Sequence, residues 1–190
     1  MRVREMLSYL AVALPASAGA QARLLALQCA LRTDRIGQVR VRNGLLRALR
    51  MAGSPPWEEL ERSHWLLRLP GEVTVQLLDP TVLTQTPGRP SRLQAADWAL
   101  RTATGSVLRP HGPDLQLAAV ALLSYSSGEH LAGRADVGQL ARACARPESE
   151  LPAALEDLRA VGLVSAWDLD LSVEEARWRL LCAPATPAAW

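Results

Sequence analysis

Six arginines, Arg32, Arg35, Arg40, Arg42, Arg47 and Arg50, fall within 19 residues that hold a single acid, Asp34. Arginine presents a planar fork of donors that matches phosphate oxygens and guanine edges. Each phosphate it neutralises steepens the salt dependence of binding. The chemistry open to this cluster is recognition of a polyanion, with double-stranded DNA as the expected partner. A thinner basic set, Arg142, Arg146, Arg177 and Arg179, follows later in the chain. The competing reading of the first cluster is a solvated face, because the chain contains no lysine and draws every basic side chain from arginine.

Other chemistry is poorly represented. His64, His111 and His130 share no metal-ligand spacing, and Cys29, Cys144 and Cys182 form no C-x-x-C pair. An odd number of scattered cysteines on apolar stretches reads as buried, reduced thiols of a cytoplasmic protein. The chain has no G-x-S-x-G and no H-E-x-x-H, and a Walker phosphate loop needs a lysine that it lacks. Glu58-Glu59 and Glu174-Glu175 are adjacent pairs, whose side chains diverge on a helix or a strand. The expectation is a binding protein with no catalytic residue, no metal and no cofactor.

The elements that must position these arginines follow from spacing. Residues 4–14 read as a helix ended by Pro15. Residues 20–32 read as a strong helix with Leu24, Leu27, Ala30 and Leu31 on one face. A turn at 34–37 leads to a short alternating strand, 38–42, with Val39 and Val41 on one side and Arg40 and Arg42 on the other. Asn43 is expected to cap a helix that runs to Ala52 and stops at Gly53. On it Leu45, Leu46 and Leu49 face inward, and Arg47 and Arg50 share one side. A helix opened by Ser54-Pro55-Pro56 then carries Trp57, Leu60, His64 and Leu67 on one face. Residues 72–78 alternate as a strand, with Val73, Val75 and Leu77 together. A Pro/Thr/Gly-rich connection spans 79–91, a helix spans 93–102 and a second connection spans 105–113. Asp114 is expected to cap an apolar helix, 115–125, ended by Ser126-Ser127-Gly128.

The stretch from Asp136 to Cys182 gives the firmest pattern. Asp136 can cap a helix bearing Val137, Leu140, Ala141 and Cys144. Arg146-Pro147 interrupts it, because the residue before proline avoids helical geometry. A second helix starts near Ser149, with Pro152 in its first turn and Leu151, Leu155, Leu158 and Val161 in a stripe. Gly162 is the left-handed stop. Strands 163–167 and 176–182 then flank a loop at 168–175. The run L-P-A-A-L-E-D-L-R-A-V-G-L-V followed by a hairpin resembles the recognition helix and wing of bacterial winged helix-turn-helix regulators. Residues 20–78 run helix, strand, helix, helix, strand, and suggest a divergent copy of the same unit. The resemblance implies a mainly α chain with small β-hairpins (α+β) and tandem winged helix-turn-helix units. The expected parts are an N-terminal helix extension at 1–19, an Arg-rich unit at 20–90 and a linker helix and loop at 91–113. A second unit at 114–182 and a flexible tail at 183–190 complete the chain.

Charge separates the two halves. Residues 1–110 hold 15 Arg against 8 acids, and residues 111–190 hold 6 Arg against 11 acids. The first half is the one suited to meet phosphate. The presumed recognition helix of the second carries Glu148, Glu150, Glu156 and Asp157 against Arg159, and its wing carries Asp168, Asp170, Glu174 and Glu175. That half suits a homodimer or protein-partner contact. Two readings stay open: a DNA-binding regulator or a plasmid or phage replication or partition factor, and a tandem winged helix accessory subunit that binds protein. No stretch is long enough to span a bilayer. The first twenty residues also resemble a secretory signal, with A-x-A triplets at 16–18 and 18–20. The alternative is a core helix, since the apolar run is short and begins beside Glu5.

Overall fold

Val3, Met6, Leu7 and Leu10 recur at three- and four-residue steps, and helix α1 (Val3–Ala13) buries all four. In the computed structural model, residues 3–53, 56–70, 74–84, 88–127 and 131–181 are described. The chain divides into two compact units, Met1–Arg101 and Thr102–Trp190. It is an α+β protein whose strands form two small antiparallel sheets. None of its described helices is long and apolar enough to cross a membrane.

In unit 1, α1 packs on α2 (Ala20–Arg32), which is the centre of the core. The leucine spacing of residues 20–32 gives α2 the bounds expected from sequence, but burial extends round the whole helix. Arg23, on α2, is itself buried. Its guanidinium donates to the carbonyls of Leu10 (2.9 Å), Ala18 (3.0 Å) and Pro15 (3.1 Å), which ties the end of α1 to the start of α2. Gln28, also buried, donates to the Ala96 carbonyl at 3.1 Å. These polar groups survive in the core because each has found a partner.

The rest of unit 1 runs β1 (Gln38–Arg40), α3 (Asn43–Ala48), α4 (Trp57–Arg62), β2 (Leu66–Arg68), β3 (Thr74–Leu77), α5 (Pro80–Leu83) and α6 (Arg89–Thr104), whose last three residues fall in unit 2. The sheet order is β1-β3-β2, so the last strand lies between the other two. Val39 stands opposite Val75, and Leu66 opposite Leu77, with all four side chains buried. Gly37 takes φ +85°, and a Cβ there would meet the Gln76 amide and the Leu83 side chain.

Unit 2 runs α7 (Pro113–Tyr125), β4 (Ser126–Ser127), β5 (Ala132–Asp136), α8 (Val137–Ala143), a 3-10 turn (Glu148–Glu150), α9 (Leu151–Ala160), β6 (Val164–Asp170) and β7 (Glu175–Leu180). Helix α7 is buried nearly all round and packs against α8, α9 and β5. The sheet order is β4-β5-β7-β6. If α1, α5, α6, β4 and the 3-10 turn are set aside, both units follow one sequence: helix, strand, helix, helix, strand, strand, with the last strand central.

Several sequence expectations need correction. Asn43 is the first residue of α3 and not its cap; Arg42 occupies the cap position and makes no side-chain cap bond. The α3 stop is Arg50 at φ 59°, not Gly53. The stripe through Trp57, Leu60, His64 and Leu67 is broken, because α4 ends at Arg62 and His64 turns the chain at φ 54°. Leu67 therefore belongs to β2, a strand that the helical spacing concealed. The connection at 79–91 contains α5, capped by Asp79, and the start of α6. Gly112 caps α7, and Asp114 lies in its first turn. The segment before Asp136 is strand β5, and the hairpin loop is only 171–174. Asp136 does cap α8, accepting from the Gln139 N–H at 2.7 Å. Cys29 and Cys144 are free and buried, and burial pushes both thiols up to about 12. Val73, His130, Cys182 and the tail lie outside the described residues.

Candidate nucleic-acid interface

The arginine cluster is spread along one continuous path, from the end of α2 through β1 to the end of α3. Val39 and Val41 are buried, so the alternating Arg40 and Arg42 side chains are exposed on the other side of the extended segment. Arg35 is exposed in the turn before β1, and Arg47 on α3. The turn itself is held by Asp34, whose Oδ1 accepts from the N–H groups of Ile36 (3.0 Å) and Gln38 (2.8 Å). Arg50 is exposed but sits past the helix, so it does not extend a face shared with Arg47. The Arg32 side chain is only 22% exposed and is committed to Asp97, with Nη2 to Oδ1 at 2.7 Å.

Three acids of unit 1 are occupied elsewhere. Glu61 holds Arg68 at 2.8 Å, Glu59 accepts from the Gly19 N–H at 2.5 Å and Asp79 accepts from Tyr9 and Thr81. The Arg68 guanidinium lowers the Glu61 carboxyl below the usual carboxylate range. Arg35, Arg40, Arg42 and Arg47 consequently have no ion-pair partner among the described residues. Unpaired guanidinium groups at an exposed edge keep their full donor capacity for an incoming phosphate.

Helices α4 and α9 are poorer phosphate partners. Helix α4 carries Glu58, Glu59 and Glu61 against Arg62. On α9, Arg159 is tied to Glu156 at 2.5 Å, which leaves Asp157 exposed and uncompensated. The indole N–H of Trp167 also reaches Glu156, at 3.3 Å.

The later basic set is divided. Arg146 pairs with Glu150 at 3.5 Å, and Arg177 pairs with Glu175. Arg142 and Arg179 are exposed. Strand register adds a residue that the sequence reading overlooked. Arg134 on β5 stands opposite Arg177 on β7, which in turn stands opposite Asp168 on β6. In the next row, Ala132, Arg179 and Ala166 are aligned. One outward face of this sheet thus holds Arg134, Arg177 and Arg179 at its base, while Asp136, Glu175 and Asp170 form an acidic row toward the hairpin tip. Arg134 was hidden because A-G-R-A-D has no β-branched or aromatic residue to announce a strand.

The opposite face is fixed by a tight contact. A Cβ on Gly133 would come within 2.4 Å of the Trp178 indole, whose N–H donates to the Ser126 hydroxyl at 2.9 Å. Among the described residues, no three of His, Cys, Asp and Glu gather in a way that could hold a metal. Comparison of the chain with protein-family models, curated protein sequences and solved structures finds no match.

Proposed function

We propose that the chain is a tandem winged helix-turn-helix protein that grips double-stranded DNA through the Arg35–Arg47 edge of unit 1. The observation that carries this reading is the set of exposed arginines at Arg35, Arg40, Arg42 and Arg47, which have no ion-pair partner among the described residues. The fold assignment is supported by the strand order β1-β3-β2 in unit 1 and β5-β7-β6 in unit 2. In each, the hairpin formed by the last two strands follows a helix pair, as a wing follows its helices. The role is binding and not catalysis.

The acidic α4 makes base reading by that helix unfavourable, so phosphate contacts dominate affinity and sequence discrimination is weak. The test is a salt series of duplex binding by an Arg40→Ala/Arg42→Ala/Arg47→Ala variant. The slope of log K against log salt should flatten by roughly 2 to 3, the number of phosphate contacts removed. An unchanged slope and affinity would sink the assignment.

A second reading is favoured by the acids on α4 and α9: a protein-binding accessory module without DNA reading. It predicts no duplex retention at low salt and a stable complex with a protein partner. Location in the cytoplasm accords with either reading.

A further inference from the structure

The hairpin between β6 and β7 ends in an exposed apolar tip. Leu171 is 75% and Val173 62% exposed, within a loop of four residues. The tip is held in shape. Asp170 Oδ1 accepts from the Ser172 N–H at 3.1 Å and from its hydroxyl at 2.5 Å. Glu174 takes φ 52°, and its carbonyl accepts from the Val137 N–H at 2.8 Å. A left-handed backbone at a non-glycine residue is strained, and such strain recurs where a loop must present side chains. Asp168, Asp170 and Glu174 make the approach acidic.

Unit 1 carries the opposite surface. Ile36 is 65% and Leu67 50% exposed. Both border Gln76: Leu67 is its cross-strand partner, and the Gln76 amide donates to the Ile36 carbonyl at 2.9 Å. Leu83, also exposed, lies against Gly37 beside them. Arg35 and Arg40 flank this patch in sequence, and both are unpaired among the described residues.

We infer that the wing tip of one copy docks on the Ile36–Leu67–Leu83 patch of a second copy, in a head-to-tail contact. Like charge disfavours the alternatives. Two acidic wings repel, and two arginine-rimmed patches repel, whereas wing on patch joins apolar to apolar and acid to arginine. Such a contact is heterologous, so each copy retains one free wing and one free patch, and association proceeds beyond the dimer unless a ring closes. The inference goes beyond the DNA grip. Arg35 and Arg40 are shared by both surfaces, but the Leu171, Val173, Ile36, Leu67 and Leu83 contact is apolar, and sedimentation without DNA reads it separately from duplex binding.

Sedimentation of the full chain over a concentration series tests it, with Leu171→Ser/Val173→Ser as the wing variant and Arg35→Glu/Ile36→Ser as the patch variant. The wild type should gain mass with concentration and lose it as salt rises. Each variant alone should remain a monomer. An equimolar mixture of the two should form dimers and stop there, since each supplies the half that the other lacks. Circular dichroism of each variant checks that it is folded. A charge exchange gives an independent route: Glu174→Arg should weaken association, and mixing with Arg35→Glu should restore it. A wild type that stays monomeric, a variant that associates like wild type, or a mixture that stays monomeric would each overturn the proposal.

Discussion

Unit 1 and unit 2 share a helix, strand, helix, helix, strand, strand order but treat arginine differently. In unit 1 the arginines of the Arg35–Arg47 segment stand without carboxylate partners among the described residues. In unit 2 Arg146, Arg159 and Arg177 are matched to glutamates four, three and two residues away, respectively. Local pairing neutralises charge before any partner arrives, and exposed pairs of this kind add little stability. Net charge alone would have ranked the units the same way, but the pairing shows which side chains remain available.

The largest expected effects test that contrast. Arg40→Ala/Arg42→Ala/Arg47→Ala should weaken duplex binding on the order of a hundredfold at moderate salt, while Arg134→Ala/Arg177→Ala/Arg179→Ala changes it by less than about threefold. Filter binding of both variants at matched salt decides the matter, and equal losses would erase the distinction between the units.

Stability separates them next. Arg23→Met removes three donors from carbonyls at the α1–α2 junction and should cost unit 1 about 2 to 4 kcal/mol, read by urea denaturation. Gly133→Ala sets a methyl against the Trp178 ring and should cost unit 2 about 1 to 3 kcal/mol. Near-ultraviolet circular dichroism of the displaced indole would report it. An unchanged spectrum and midpoint would show that the sheet accommodates the methyl.

The Tyr9–Asp79 pair gives unit 1 a pH dependence. Burial pushes the Asp79 carboxyl up, but donation from the Tyr9 hydroxyl (2.6 Å) and from Thr81 outweighs it, and the group sits below the usual range. A carboxyl lowered on folding adds stability above its unfolded pKa, about 4, and loses it as pH falls through the folded value. Burial, and then the bond to Asp79, raise the Tyr9 hydroxyl. Its contribution is present below its unfolded pKa, about 10, and fades as pH rises beyond that. Tyr9→Phe should cost about 1 kcal/mol at neutral pH and flatten the acid limb of a melting-temperature profile. A parallel profile, merely displaced, would remove Asp79 as its source.

The smallest effect concerns helix ends. Arg50, His64, Ala145 and Gly162 each take positive φ at a helix stop, and the next N–H reaches back to Leu46, Leu60, Ala141 and Leu158 respectively. Only Gly162 is suited to that geometry. Ala145→Gly should therefore stabilise unit 2 by up to about 1 kcal/mol, and Gly162→Ala should destabilise it by a similar amount. Melting temperatures that move in the same direction for both would contradict this account.

The same stops explain how much could be read from sequence. The helix from 20 to 32, the Asp136 cap and the Gly162 stop were legible because leucine spacing, a capping aspartate and a glycine each act locally. The ends at Arg50 and His64 were not, because a non-glycine residue takes the left-handed turn there and leaves no glycine to mark it. With the His64 stop unseen, β2 read as a continuation of the helix. The exposed arginine edge was visible as composition, but which arginines were already paired depended on partners as distant as Asp97. Arg134 emerged only from strand register.

The central place of the last strand has a consequence for synthesis. Among the described residues, strands β1 and β2 pair only with β3, and β6 pairs only with β7. A nascent chain therefore holds open strand edges until Thr74–Leu77 leaves the ribosome, and again until Glu175–Leu180 does. Each unit completes its sheet in one late step, and a transcript truncated before either strand yields a polypeptide with unpaired edges, the kind of surface that invites aggregation.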